Sequence, residues 1–250
     1  MRLKDKVALV TGASQGLGLA IARRFCLEGA LVFLGDLKED QGRAAAAELT
    51  SQGGHAWFVR LDVADEESWK AALAVLIGQA GKLDVLVNNA GINIRVPIEE
   101  MSVEDLDRML AVNIRGPFLG IKHALPLFRK NGGGSIITMG SVCSLIGHKF
   151  TPEAYTTVKG AISQLTRSVA VRYAKDNVRA NVICPSTVET PLVQVVMKDP
   201  VRRKERVDEV PLGRLATMED VAAAALYLAS DEAAFINGVN FPVDGGATAW

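Results

Sequence analysis

Tyr155 and Lys159 stand four positions apart, and Ser141 precedes Tyr155 by 14 residues. Positions i and i+4 share one face of a helix, so a lysine ammonium there can sit beside a tyrosine phenol. A phenol titrates near pH 10 in water, and a neighbouring positive charge favours the phenolate. The pair therefore describes a proton-transfer site working near neutral pH. Y-x-x-x-K alone reads more readily as an ordinary helix surface. The run TGASQGLG at 11–18, together with Ser141 and Asn113, turns the reading toward chemistry.

That run follows an apolar stretch, Val7 to Val10, and opens a helical stripe of Leu17, Ile21 and Phe25 that Gly29 closes. Gly12, Gly16 and Gly18 permit a tight turn and the close approach of a pyrophosphate, and the helix N-terminus supplies N–H groups and partial positive charge. Asp36 ends the next apolar run, Leu31 to Leu34, 18 residues past Gly18. At about that distance an acid meets the adenosine ribose hydroxyls, and its charge repels a 2′-phosphate. NAD is expected over NADP. Gln15 and Leu37 offer no cation to such a phosphate, and Lys38 reads as a solvated residue at the start of a helix.

These positions need a scaffold of alternating strands and helices, and the chain supplies one. Further strands are expected at 57–61 (ending at Asp62), 85–87 (ending at Asn88), 135–139, 179–184 and 240–243. Helices are expected at about 38–52, 65–80, 104–130, 153–175 and 218–229, with Pro117 as a kink or break in the 104–130 helix. Such alternation demands a parallel sheet with helices on both faces, a single-domain Rossmann-type doubly wound fold of about seven strands. Ligands bind there beyond the carboxyl ends of the strands, where Gly12, Asp36, Asp62, Asn88, Ser141 and Pro185 fall. Residues 1–250 read as one domain with a substrate-lid segment at about 187–210, since no linker, repeat or low-complexity tract divides them.

Lys plus Arg and Asp plus Glu balance at 28 each, which gives no support to a nucleic-acid partner. No apolar run is long enough to span a bilayer, and the opening residues do not read as a secretion signal. Three widely spaced cysteines, Cys26, Cys143 and Cys184, form no zinc or redox motif, so no metal is expected and a reducing, cytoplasmic compartment is the default.

Taken together, these motifs resemble the classical short-chain dehydrogenase/reductase family along essentially the whole chain. TGASQGLG, with Ser14, Gln15 and Leu17 among its residues, is similar to the family's TGxxxGxG loop. Asp62-Val63 is similar to its adenine-contacting pair, and Asn88-Asn89-Ala90-Gly91 to its NNAG segment. Asn113, Ser141, Tyr155 and Lys159 match the catalytic tetrad. Pro185 to Thr190 resembles PGxVxT around the nicotinamide, with Ser186 in the glycine position and Val188 where the backbone holds the carboxamide. Asp244-Gly245-Gly246 is similar to the C-terminal turn. Besides Ser186, two departures stand out: Val158 precedes the lysine, and the Ser141–Tyr155 interval is one residue longer than the common spacing. The extra residue belongs to the 142–153 loop and bears on specificity. The extended branch of the superfamily has longer chains and a different glycine spacing.

The resemblance implies reversible hydride transfer between NAD and a secondary alcohol/ketone pair. Tyr155 takes the alcohol proton, Ser141 hydrogen-bonds the substrate oxygen, Lys159 lowers the Tyr155 pKa and contacts the nicotinamide ribose, and Asn113 holds a relay water. The substrate pocket is expected from loops at about 92–97, 142–153 and 186–210. Asn93, Arg95, Cys143, Leu145, His148, Lys149, Phe150 and Leu192 are its candidates, with Ile146, Val195 and Met197 as further apolar residues. Arg95, His148 or Lys149 can meet an anion, whereas the basic run Lys198, Arg202, Arg203, Lys204 and Arg206 reads as the outer face of the lid. The family also implies a homo-oligomer, a tetramer or else a dimer, joined through the helices near 104–130 and 153–175. The rival readings are an NADPH-dependent ketoreductase for carrier-bound 3-oxoacyl substrates, opposed by Asp36, and a non-catalytic dinucleotide sensor, opposed by the intact tetrad.

Overall fold

The computed structural model describes residues 1–191, 193 and 198–249. Seven parallel strands form one sheet: β1 (Val7–Thr11), β2 (Leu31–Asp36), β3 (His55–Arg60), β4 (Val85–Asn88), β5 (Gly134–Met139), β6 (Val178–Pro185) and β7 (Asn240–Val243). Their spatial order is β3-β2-β1-β4-β5-β6-β7. The order reverses between β1 and β4, where diverging connections leave a crevice at the carboxyl ends.

Strand residues sort onto the two faces with period two. Ala8, Val10, Val32, Leu34, Val85, Val87 and Ile137 join one core, beneath α1 (Gly16–Leu27), α2 (Glu39–Ser51) and α8 (Met218–Ala229). Leu9, Phe33, Leu86 and Ile136 join the other, with Trp69 and Leu76 of α3 (Glu66–Ala80), Phe128 of α5 (Gly116–Asn131) and Val169 of α6 (Glu153–Arg172). Burial on both faces is why the strands read as continuous apolar runs.

The expected 104–130 helix is two helices. α4 (Val103–Leu110) meets α5 through a π-helical turn at Ala111–Arg115. Pro117 sits at the start of α5, directly after that turn, so the break expected near it lies on its N-terminal side. Pro126 is the proline inside that helix. The expected 153–175 helix ends at Arg172 and is followed by a 3-10 turn at Ala174–Asp176. Strands β3 and β6 each begin earlier than expected, at His55 and Val178. A short helix α7 (Pro200–Asp208), capped by the Asp199 carboxylate accepting from the Val201 N–H, lies in the 187–210 segment. No described helix is long and apolar enough to cross a membrane.

Candidate active site

The three glycines after β1 have different physical reasons. Gly12 and Gly16 carry φ of +65° and +56°, in the left-handed region. Gly18 is required by closeness: a Cβ there would stand 2.3 Å from the Gly12 carbonyl oxygen and 2.6 Å from Asn89 Nδ2. A Cβ on Gly16 would meet nothing within 4 Å, so the loop is open on that side. Asn89 staples the loop to β4 by donating to the Thr11 carbonyl at 2.8 Å and the Gly12 carbonyl at 3.2 Å. Thr11 Oγ1 accepts in return from the Asn89 and Ala90 N–H groups, each at 3.0 Å.

The residues present fit a dinucleotide. Gln15, at the N-cap of α1, gives no side-chain cap, and the first turn has no acid. By contrast α3, α4, α7 and α8 are capped by Asp65, Ser102, Asp199 and Thr217. The first N–H groups of α1 are thus left for an anion. The Asp36 carboxylate is aimed by two backbone donors, Ser14 N–H at 3.0 Å and Lys38 N–H at 3.1 Å. Leu37 is exposed, and Lys38 Nζ reaches Gln15 Oε1 at 3.3 Å instead of standing free. Asp62 accepts from Ala64 N–H at 2.9 Å, and Val63 beside it is buried. At the far end, Val188 pairs with Ala216 in an isolated bridge, and Thr190 N–H donates to the Val188 carbonyl. The buried Val188's own N–H has no acceptor among the described residues.

The four tetrad positions come together. Ser141 stands just past β5 and opens a 3-10 turn, Val142–Ser144, its Oγ accepting from Cys143 N–H at 3.2 Å. Tyr155 and Lys159 lie on α6, with Lys159 Nζ 5.5 Å from the Tyr155 ring centre. A Cβ on Gly91 would stand 2.7 Å from Asn113 Oδ1 and 3.8 Å from Lys159 Nζ, which puts Asn113 behind the lysine. The buried Asn113 amide is largely occupied. Its Nδ2 donates to Ile92 and Met109 carbonyls, and its Oδ1 accepts from Ile92 N–H. Both amide hydrogens are spent on the backbone, so for a relay water the side chain retains acceptor capacity only.

The electrostatics differ from expectation at Tyr155. Burial pushes its pKa up to about 12, reinforced by Cys143; Arg95 and then the Ser141 hydroxyl oppose it, and Lys159 is not among the groups that lower it. The Lys159 ammonium donates one of its hydrogens to the Met139 carbonyl at 2.7 Å. Burial brings Lys159 itself down to about 8. Burial also pushes Cys184 and Cys26 up to about 11. These thiols are free and buried, as is Cys143.

A cleft of about 660 Å³ runs from Leu17 and Asn89 past the tetrad to α7. Asn93, Arg95, Cys143, His148 and Phe150 line it. Leu145 does not: it ends the 3-10 turn and is 36% exposed. Lys149 lines an adjoining cavity of about 320 Å³ instead, with its ammonium 4.4 Å from the Phe150 ring centre. Leu192, Val195 and Met197 lie outside the described residues. Ser186 and Thr187 line both spaces, and the buried Ser186 Oγ has no hydrogen-bond partner among the described residues.

The basic run was only partly an outer face. Arg203 and Lys204 face outward, where they pair with Glu189 and Asp208. Arg202 and Arg206, four apart on α7, line the cleft. Arg206 lies 4.2 Å from the Phe150 ring centre and pairs with Glu209, which also meets His148 at 3.5 Å. Burial is the first cause holding His148 below its usual pKa. The i, i+4 spacing of Arg202 and Arg206 was the available signal for a shared inward face. Among the described residues no cluster of three His, Cys, Asp or Glu could hold a metal.

The profile of one protein family, described as Enoyl-(Acyl carrier protein) reductase, matches residues 12–248. The chain is 42% identical over 247 residues to 2,5-dichloro-2,5-cyclohexadiene-1,4-diol dehydrogenase LinX of Sphingobium indicum, covering 98% of this chain and 97% of that protein. It is 39% identical over 248 residues to cyclopentanol dehydrogenase of Comamonas testosteroni, covering 99% of each. The crystal structure of gox2181 superposes with a TM-score of 0.97 at 32% identity, covering 100% of this chain and 98% of that one.

Proposed function

The chain belongs to the classical short-chain dehydrogenase/reductase family, and from that premise we propose an NAD-preferring secondary-alcohol dehydrogenase whose proton acceptor is Tyr155. That it is an oxidoreductase acting on CH–OH groups with a nicotinamide dinucleotide follows from its relatives. The preference for NAD and the residue roles are our own reading. One observation carries it: Ser141, Tyr155 and Lys159 meet in a single cleft whose other end is the Gly12–Gly18 loop.

Gly12, Gly16, Gly18 and the open N-terminus of α1 would hold the pyrophosphate, and Asp36 the adenosine ribose. Asp62 and Val63 would meet the adenine, and Asn89, Ala90 and Gly91 would wall the dinucleotide between the Gly12–Gly18 loop and Lys159. Pro185, Val188 and Thr190 would hold the nicotinamide end, with the free Val188 N–H as donor. The bound dinucleotide supplies the hydride acceptor.

Ser141 orients the alcohol oxygen, and Tyr155 removes its proton. Tyr155 accepts that proton as a phenolate, its own proton having first passed to solvent, and becomes the neutral phenol; the buried Lys159 ammonium stabilises the phenolate beforehand, a charge that burial alone disfavours. Asn113 positions the 91–92 backbone against Lys159.

Asp36 supports NAD because both its oxygens are held at the end of β2 by the Ser14 and Lys38 N–H groups, where they face a 2′-phosphate. Free, buried cysteines support a reducing, cytoplasmic setting. Phe118 of α5, 52% exposed beside a hollow with Ile114 and Arg115, supports a homo-oligomer joined through α4–α6.

The test is reduced-nicotinamide formation from NAD and NADP with a panel of secondary alcohols, for the wild type and Tyr155→Phe. NAD turnover that falls by about 10²–10⁴-fold in the variant, with NADH binding retained, is the expected result. Turnover only with NADP overturns the Asp36 reading, and retained turnover in the variant overturns the Tyr155 role.

A further inference from the structure

Three arginines line the cleft: Arg95, Arg202 and Arg206. Arg202 is paired with Asp199 at 3.5 Å and Arg206 with Glu209 at 3.4 Å. Arg95 has no ion pair and no hydrogen bond among the described residues. It sits on the loop after β4, exposed, and its charge reaches the Tyr155 phenol. It therefore ties no loop and caps no helix, while lining the same cleft as Tyr155 and Ser141.

The acids around the cleft do not neutralise it. Glu209 is already shared by His148 and Arg206. Glu205, on α7, lines the cleft and is exposed, without an ion pair among the described residues. A guanidinium is a planar fork of donors matched to a carboxylate, sulfonate or phosphate. A cation left unpaired in a substrate cleft can receive such a group without displacing a protein partner.

We infer that the substrate carries an anionic group and that Arg95 receives it beside the reacting carbinol. This rests on the proposed alcohol oxidation and names the substrate class within it: hydroxy acids, or alcohols bearing a sulfonate or phosphate. Arg95 is then a specificity residue, acting on the part of the substrate that does not react.

The test uses a matched pair, 2-pentanol and 4-hydroxypentanoate, which share a carbon skeleton and differ by the carboxylate. The wild type with NAD is expected to favour the acid. Arg95→Ala should collapse that preference by about tenfold to a hundredfold, chiefly through KM for the acid, as befits a charge-assisted hydrogen bond. Arg95→Lys should restore part of it. A preference unchanged by Arg95→Ala overturns the inference, as does a loss confined to KM for NAD, which would assign Arg95 to the cofactor's phosphates. If neither alcohol turns over, the alcohol-oxidation reading fails for this pair. Binding of 4-oxopentanoate and 2-pentanone to the enzyme–NADH complex, followed by nicotinamide fluorescence, then decides the anion site separately. Tighter binding of the keto acid that Arg95→Ala abolishes supports it; equal binding of the two, or none, overturns it.

Discussion

Lys159 holds its ammonium 5.5 Å from the centre of the Tyr155 ring while donating to the strand carbonyl of Met139 at 2.7 Å. The lysine is anchored to β5 and presented to the tyrosine at the same time. An anchored charge loses little freedom when the phenolate forms, which is the preorganisation that electrostatic catalysis requires.

That arrangement makes stability depend on pH in a definite direction. Lys159 has a folded-state pKa of about 8 against 10.5. Between those values the unfolded chain holds more protons, so stability rises with pH; the cost of the buried ammonium is complete below about pH 8 and fades above it. Tyr155 acts in a separate window: with a folded value of about 12 against 10, its contribution is present below pH 10 and lost above. The Tm of Lys159→Met relative to wild type should therefore be highest near pH 7 and fall between pH 8 and 10. A difference that is flat across that range, measured by calorimetry, would show that the lysine is not desolvated.

Asp36 combines a structural and a selective function that two substitutions separate. Asp36→Asn keeps an acceptor for the Ser14 or Lys38 N–H but removes the charge. Its NAD-to-NADP ratio of kcat/KM should fall by about tenfold to a hundredfold with little change in Tm, and Asp36→Ala should lower both. Equal ratios in wild type and Asp36→Asn would remove the selective role.

Gly16 and Gly18 should fail differently. Gly16→Ala meets open space and bears only the cost of its positive φ, about 1 kcal/mol, yet it stands in the loop proposed to hold the pyrophosphate. It should fold and raise KM for NAD. Gly18→Ala drives a methyl against the Gly12 carbonyl and should cost about 1–3 kcal/mol of stability. Denaturant unfolding beside NADH titration distinguishes the two, and matching profiles would contradict the assignment.

Much of the scaffold was readable because doubly buried strands leave uninterrupted apolar runs; of the residues closing those runs, Ser141 and Pro185 line the cleft, whereas Asn88 is buried beside Gly120 of α5. Tyr155 and Lys159 were readable because a helical period is local. Three things were not. The π turn at 111–115 was hidden, since a periodic apolar stripe looks the same when one turn holds an extra residue. The inward face of Arg206 was hidden by acids nearby in sequence, although Phe150, far away in the chain, supplies its packing. The rise in Tyr155 pKa depends on burial, which no spacing reports.

The π turn has a consequence for how this chain can change length. Each residue of an α-helix advances the phase by about 100°. Losing one residue between Ala111 and Arg115 would turn the widened turn into ordinary helix and keep every hydrogen-bonded rung. The two helices would keep their phase, because the π turn absorbs its extra residue within one turn, so Leu119, Ala124 and Phe128 would stay in the core; what would be lost is the placing of Asn113, which that turn carries. The surplus residue gives Asn113 its place beside the 91–92 backbone without disturbing the face that α5 turns to the core. Insertions and deletions there should be far less tolerated than in the loops on either side.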